Sequence, residues 1–290
     1  MHTSISGLVN SLQTQGFITV ENVFSDREMD DFTRLLNQSI EEALSSESYK
    51  GRPTDTLLGR ANDTVWTLWE LYGVCEEGLR YTRHPAIIEI LETALGEPVV
   101  HASPGTMFDK VAGGDASIGW HQDSFFIMDP PDWDAIDVSK YRYQFGHLHV
   151  RPNQMNMDED YYRKSLIVRI NVDEQTSENG VLRVLPGSYL EGPFELHGDQ
   201  TGKIQSAYVE AHKSEAIECV AGRGSVTFYY PTTLHSSGIS TAAAGTHRRA
   251  AAHRMRASSI RVPGWEWPTD WTPGVIAAEA EAGFDLSPLS

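Results

Sequence analysis

The chain has 290 residues, 40% of them hydrophobic, enough for a sizeable core, and 23 basic against 40 acidic residues leave a formal net charge of −17. That balance argues against a nucleic-acid partner, because neutralising phosphates takes clustered Lys and Arg. Cys75 and Cys219 are too few for a disulfide framework. The start, Met1-His2-Thr3-Ser4, lacks a basic segment leading into an apolar run, and no stretch of about 18 apolar residues occurs, so a cytoplasmic protein without membrane association is expected.

In chain order, Gly16-Phe17-Ile18-Thr19-Val20 reads as an edge strand. Ser25-Asp26-Arg27-Glu28 has the form of a capping box, and behind it Met29, Phe32, Leu35, Leu36 and Ile40 recur at helical spacing, which predicts a core helix over 26–45. The polar stretch 46–63, with Gly51, Pro53 and Gly59, reads as a loop. Val65 to Tyr72 is apolar, and its tryptophans, Trp66 and Trp69, either pack on the core or close a substrate pocket. Pro85 suits the first turn of a second helix and Gly96 its stop.

Beyond Gly96 the pattern becomes short β-type runs punctuated by Gly and Pro: 98–101, 106–111, 165–172, 181–185, 216–220, 225–230 and 248–260. Many short strands with turn signals, among them Glu178-Asn179-Gly180 and Gly222-Arg223-Gly224, predict a sandwich or barrel rather than βαβ units. The acidic, aromatic stretch 129–164, which contains Trp133, is too long for a plain connection and reads as a lid. The Trp- and Pro-rich tail 263–290 is expected to pack on the barrel or on a second subunit. The expected organisation is one domain over 1–290, with a helical part to about 97, a β core over about 98–262, the lid and the tail.

The chemistry centres on Trp120-His121-Gln122-Asp123. Residues i and i+2 of a strand share a face, so the His121 imidazole and the Asp123 carboxylate can converge on one cation. His235, in Leu234-His235-Ser236-Ser237-Gly238, is the third candidate ligand. Two His and one carboxylate leave the other face of a metal open, the facial triad of non-haem Fe(II) oxygenases. Such an enzyme needs an electron source, usually 2-oxoglutarate, whose far carboxylate asks for an Arg fork. Arg248 and Arg249 follow His235 after one small-residue loop, which places them on the next strand, expected antiparallel and adjacent to that of His235, and strand alternation lets only one of them face the pocket. From the residues alone, a zinc hydrolase and a non-catalytic jelly-roll binding protein stay open beside the oxygenase.

Taken in order, these segments resemble the phytanoyl-CoA dioxygenase family of Fe(II)/2-oxoglutarate-dependent oxygenases. The resemblance is carried by His121-Gln122-Asp123, by Asn179-Gly180 leading to Leu185-Pro186-Gly187-Ser188, by His235-Ser236-Ser237-Gly238, and by Arg248-Arg249-Ala250. It covers most of the chain from about 15 to 260. It implies a mainly β fold with flanking helices, a double-stranded β-helix (jelly roll, cupin-like). It implies Fe(II) held by His121, Asp123 and His235, and 2-oxoglutarate and O2 as co-substrates. It further implies 2-oxoglutarate bound by Arg248, with Ser237, Met107 and Gln122 lining its pocket. Arg169 stands where many relatives carry Trp and adds an inward cation. Phe125, Trp133 and Trp69 are expected around the substrate, a small natural-product or amino-acid-like molecule. With a carboxylate at Asp123, hydroxylation is expected, or the variants desaturation and ring formation.

Overall fold

The computed structural model describes residues 4–50, 52–61, 64–103, 105–114, 116–123, 125–127, 143–144, 154–156, 159–194 and 201–260. Twelve strands and four longer helices position the site. Helix α1 (Ile5–Gln15) is capped by the Ser4 hydroxyl and stopped by Gly16 in the left-handed region, and leads into β1 (Phe17–Val20). The α1 helix is an addition to the sequence reading, although Ile5, Leu8, Val9 and Leu12 lie at helical spacing. Helix α2 (Asp26–Leu44) starts on the expected capping box: Glu28 N–H donates to the Ser25 hydroxyl, and Ser25 N–H donates back to the Glu28 carboxylate. Then come β2 (Leu58–Ala61), β3 (Thr64–Trp69), α3 (Pro85–Leu95), β4 (Val99–His101), β5 (Thr106–Val111), β6 (Ile118–His121), β7 (Ser165–Asn171), β8 (Leu182–Val184), α4 (Thr201–His212), β9 (Ile217–Glu218), β10 (Val226–Tyr229), β11 (His235–Ser237) and β12 (His247–Ala257). Among the described residues, no helix is long and apolar enough to cross a membrane.

The major sheet runs β1-β10-β7-β12-β5-β3-β2, with β4 also pairing to β12; the minor sheet runs β9-β8-β11-β6. All their pairings are antiparallel. Both faces of the major sheet are covered, which is why every residue of β7 is buried and its sequence shows no polar alternation. Leu166, Val168 and Ile170 face outward, with Phe228 and Met255, onto Met29, Phe32 and Leu36 of α2 and Ile87, Ile90 and Leu91 of α3. Each fully buried side chain of this kind contributes about 1.5–3 kcal/mol. Ile167 and Tyr229 face inward with Phe17, against Leu182 and Val184 of the minor sheet. The result is the expected antiparallel, helix-flanked jelly roll.

Two expectations need correction. Asn179-Gly180 and Gly222-Arg223-Gly224 are not turns of β-hairpins: each lies where the chain crosses between the facing sheets, from β7 to β8 and from β9 to β10. Likewise β12 is not hydrogen-bonded beside β11 but lies in the opposite sheet, so Arg248 meets the His235 strand across the interior. In a jelly roll successive strands switch sheets, and local turn signals do not register that. The stretch 46–63, read as a loop, holds β2 and three short elements: Ser48–Tyr49, Arg52–Pro53 and Thr54–Leu57. Within 129–164, Tyr143–Gln144 and Gln154–Asn156 form a small antiparallel sheet with Phe125–Ile127, and Glu159–Arg163 is helical. Lys164 is described as well, whereas the rest of that stretch, with Trp133, and the tail 263–290 lie outside the described residues.

Candidate active site

His121 ends β6 and His235 begins β11, and the two are direct partners in the antiparallel register. Their rings lie 4.1 Å apart, centre to centre. Asp123 follows two residues after His121, its N–H donating to the Pro231 carbonyl at 2.8 Å while Arg254 donates to its carbonyl. Nδ1 of His121 sits 2.8 Å from the Gly119 carbonyl, and Nδ1 of His235 sits 2.9 Å from that of Thr233. A carbonyl can only accept, so each Nδ1 carries the proton and each Nε2 offers a lone pair. Those Nε2 atoms lie 3.5 Å (His121) and 3.6 Å (His235) from the Asp123 carboxylate oxygens. Both separations exceed good hydrogen-bond length. Three lone-pair donors converging at such distances suit a cation better than a shared proton, and one ligand atom from each residue falls within 4.8 Å of the others.

Protonation fits this donor set. Burial lowers the His235 pKa to about 4, with the His121 charge adding to the effect, so the imidazole is neutral near pH 7. Burial opposes ionisation of Asp123, but the imidazoles of His235 and His121 and the Arg254 guanidinium outweigh it, keeping the carboxyl below its usual range. Tyr229 donates its phenol to Oδ2 of Asp123 at 3.3 Å. Burial first and Asp123 second push that phenol well up, so it stays a donor.

Beside the triad lies a cavity of about 70 Å³ lined by Phe108, Arg169, Leu182, Tyr229, Ser237 and Arg248, among others. Two cations line it, Arg248 at 2% exposure and Arg169 at 4%, and a third, Lys110 at 1%, is buried behind the lining, close enough to feel the charge of both. Arg248 donates to the carbonyls of Gly180 (2.6 Å) and Asn179 (3.5 Å). Lys110 donates to those of Ser237 (2.9 Å) and Gly238. Arg169 donates to Asn171 Oδ1 (2.6 Å) and Gln175 Oε1 (3.1 Å). Among the described residues none of the three has a carboxylate within ion-pair distance. Burial, followed by the charges of Arg248 and Arg169, drives the Lys110 pKa down to about 7. Buried cations answered only by neutral oxygens form a site suited to an anion, and an Arg fork fits a carboxylate.

Arg249 faces the other way, forming a bidentate pair with Asp173 at 2.7 and 2.9 Å, so the inward arginine is Arg248. Gln122 does not face the cavity as expected. It is buried on the far side, donating to Gly192 O (3.0 Å) and Thr232 O (2.6 Å) and accepting from Phe194 N–H (2.8 Å), so both its donor hydrogens and its oxygen are engaged there. Met107 is also displaced from its expected role, because strand alternation turns it outward into the core beneath the helices and turns Phe108 inward. Trp69 does not line the cavity; it is 38% exposed, its ring edge-on at 6.3 Å to Phe108, which does. The Phe125 side chain lies outside the described residues. Sequence reasoning missed Lys110 and Tyr229. The alternation Thr106, Phe108, Lys110 carried a signal for the first; nothing in the sequence carried one for the second.

A jelly roll holding two imidazoles and a carboxylate beside a cation-lined cavity defines the class of non-haem Fe(II) oxygenases that use an acidic co-substrate. The phytanoyl-CoA dioxygenase (PhyH) profile matches residues 12–250, and the chain belongs to that family. It is therefore an Fe(II)/2-oxoglutarate-dependent oxygenase, with O2 as the other co-substrate, and this replaces the zinc-hydrolase and binding-protein readings. It is 28% identical over 248 residues to an L-proline trans-4-hydroxylase of Streptomyces griseoviridis, covering 79% of this chain and 78% of that protein. It is 24% identical over 238 residues to a probable alpha-ketoglutarate-dependent hypophosphite dioxygenase of Stutzerimonas stutzeri, covering 77% and 69%. In fold it is similar to EctD from S. alaskensis with 2-oxoglutarate and 5-hydroxyectoine, with a TM-score of 0.61 and 16% identity over 91% of this chain and 80% of the other.

Proposed function

We propose that this oxygenase hydroxylates an unactivated C–H bond of a small natural-product or amino-acid-like molecule, coupled to decarboxylation of 2-oxoglutarate to succinate and CO2. The observation that carries the reading is the convergence of His121, Asp123 and His235 beside buried cations that, among the described residues, have no carboxylate within ion-pair distance. In this reading His121, Asp123 and His235 hold Fe(II) through Nε2, carboxylate and Nε2. Iron in such a setting supplies the oxidising chemistry. Arg248 takes the far carboxylate of 2-oxoglutarate, and Lys110, Arg169 and Ser237 complete that end of the pocket. Phe108 and Leu182 provide apolar walls that orient ligands and exclude water. Trp69, Phe125 and Trp133 are proposed as substrate-contacting residues, and the stretch 129–164 as the lid that the sequence leads one to expect. The whole chain serves this one catalytic domain.

The substrate class draws support from the L-proline hydroxylase relative. Ring formation by the same oxidant is the second reading, favoured by the likeness in fold (TM-score 0.59) to SnoK, a non-haem alpha-ketoglutarate-dependent carbocyclase from nogalamycin biosynthesis. The test is succinate formation by anaerobically iron-loaded protein given 2-oxoglutarate and O2, with and without pools of amino acids and natural products. Succinate that rises with one pool supports the reading and points to the substrate. No succinate from protein with bound Fe(II) would overturn it.

A further inference from the structure

Tyr229 lies on β10, one strand in from the edge of the major sheet, paired on one side with Phe17 and on the other with Ile167, and faces the cavity at 3% exposure. It touches two of the three residues that would hold the metal. Its ring packs on the His235 imidazole, centre to centre 4.9 Å, and its hydroxyl reaches Asp123 Oδ2 at 3.3 Å. The backbone of Asp123 is tethered twice, through Pro231 and Arg254, but those bonds leave the carboxylate free to choose an oxygen. The two oxygens are nearly equivalent toward the imidazoles, Oδ1 at 3.5 Å from His121 Nε2 and Oδ2 at 3.6 Å from His235 Nε2. The phenol breaks that equivalence, because an oxygen that accepts its hydrogen bond is a poorer second donor to a cation.

We propose that Tyr229 is a positioning residue that engages Oδ2 of Asp123, so that the carboxylate offers a single oxygen to the metal and the positions needed by the co-substrates stay open. The proposal rests on the reading that His121, Asp123 and His235 are the ligands. Three protein donors leave half of an octahedral ion free, and 2-oxoglutarate needs two adjacent positions to chelate. A carboxylate closing onto the ion with both oxygens would compete for one of them. Partners that orient a ligand from behind in this way alter affinity at metal sites by about 10–100-fold when removed.

Co(II) is the probe, since its visible absorption reports coordination number and geometry. Wild-type protein and Tyr229→Phe, which keeps the ring against His235 and removes only the hydroxyl, are loaded with Co(II) and titrated with 2-oxoglutarate. The expected result is a Co(II) spectrum that differs from wild type before 2-oxoglutarate is added. A Kd for 2-oxoglutarate raised by about tenfold should accompany it, with binding to the metal-free protein unchanged. An unaltered spectrum and an unaltered Kd overturn the proposal. So does an equal loss in the metal-free protein, which would mark Tyr229 as packing alone. If wild-type protein shows no Co(II) spectrum at all, the ligand assignment itself has failed, and Tyr229 falls with it.

Discussion

At the scale of single residues, adjacent arginines with identical chemistry have different work because strand alternation turns them to opposite faces. Arg248→Ala should weaken 2-oxoglutarate binding on the order of a hundredfold, the loss of about 2–3 kcal/mol expected for charge-assisted hydrogen bonds, while metal binding persists. Calorimetric titration of Co(II)-loaded protein reads both. Arg249→Ala breaks the pair with Asp173 and its contact to Asn37 of α2, and should lower the urea midpoint with little effect on 2-oxoglutarate. Lys110 adds a pH signature. With its pKa lowered to about 7, it is charged below that value and neutral above it. Affinity for the 2-oxoglutarate dianion should therefore fall as pH rises through about 7 in the binding assay, and Lys110→Met should flatten the profile.

At the scale of elements, α2 and the β7–β8 crossover are held by local features that can be tested separately from the site. Ser25→Ala removes half of the capping box and should cost about 1 kcal/mol, read as a lower urea midpoint with an unchanged slope. Gly180 is held at φ +73, and a side chain there would meet the Gly238 carbonyl and Lys110 Cδ. Its own carbonyl accepts from Arg248. Gly180→Ala should therefore both destabilise the fold and weaken 2-oxoglutarate binding. A variant that loses stability but keeps full affinity would show that the crossover does not set the Arg248 position.

At the scale of the whole molecule, the outward face of the major sheet buries a second polar cluster, on the opposite side of the sheet from the cavity. His253 stacks on His101 at 5.4 Å and lies 3.4 Å from the Tyr72 hydroxyl. Burial, then the charge of His101, holds its pKa well below the ordinary value. The unfolded chain takes up that proton near pH 6.5 while the folded chain resists it, so stability should fall as pH drops below about 6.5, by up to about 1.4 kcal/mol per unit. Urea midpoints between about pH 7 and 5.5 would show the slope, and His253→Gln should reduce it.

The sequence by itself determined the β class, the start of α2 and the bounds of α3, the strand at 106–111, the strand at 165–172 and the end of α2 to within one residue, the three candidate ligands and the inward pairing of an arginine with the cavity. These depend on local quantities: cap chemistry, periodicity, and spacing along one strand. The tertiary structure alone decided that Met107 and Gln122 turn away, that Tyr229 lines the cavity and that Lys110 lies buried behind it; between two arginines that strand alternation left open, it turned inward Arg248, the one the family resemblance implied. Each of those outcomes depends on which sheet a strand joins and in what register. Pairings such as Tyr229 with Ile167 join segments far apart in the chain, and shifting a register by one residue exchanges the two faces.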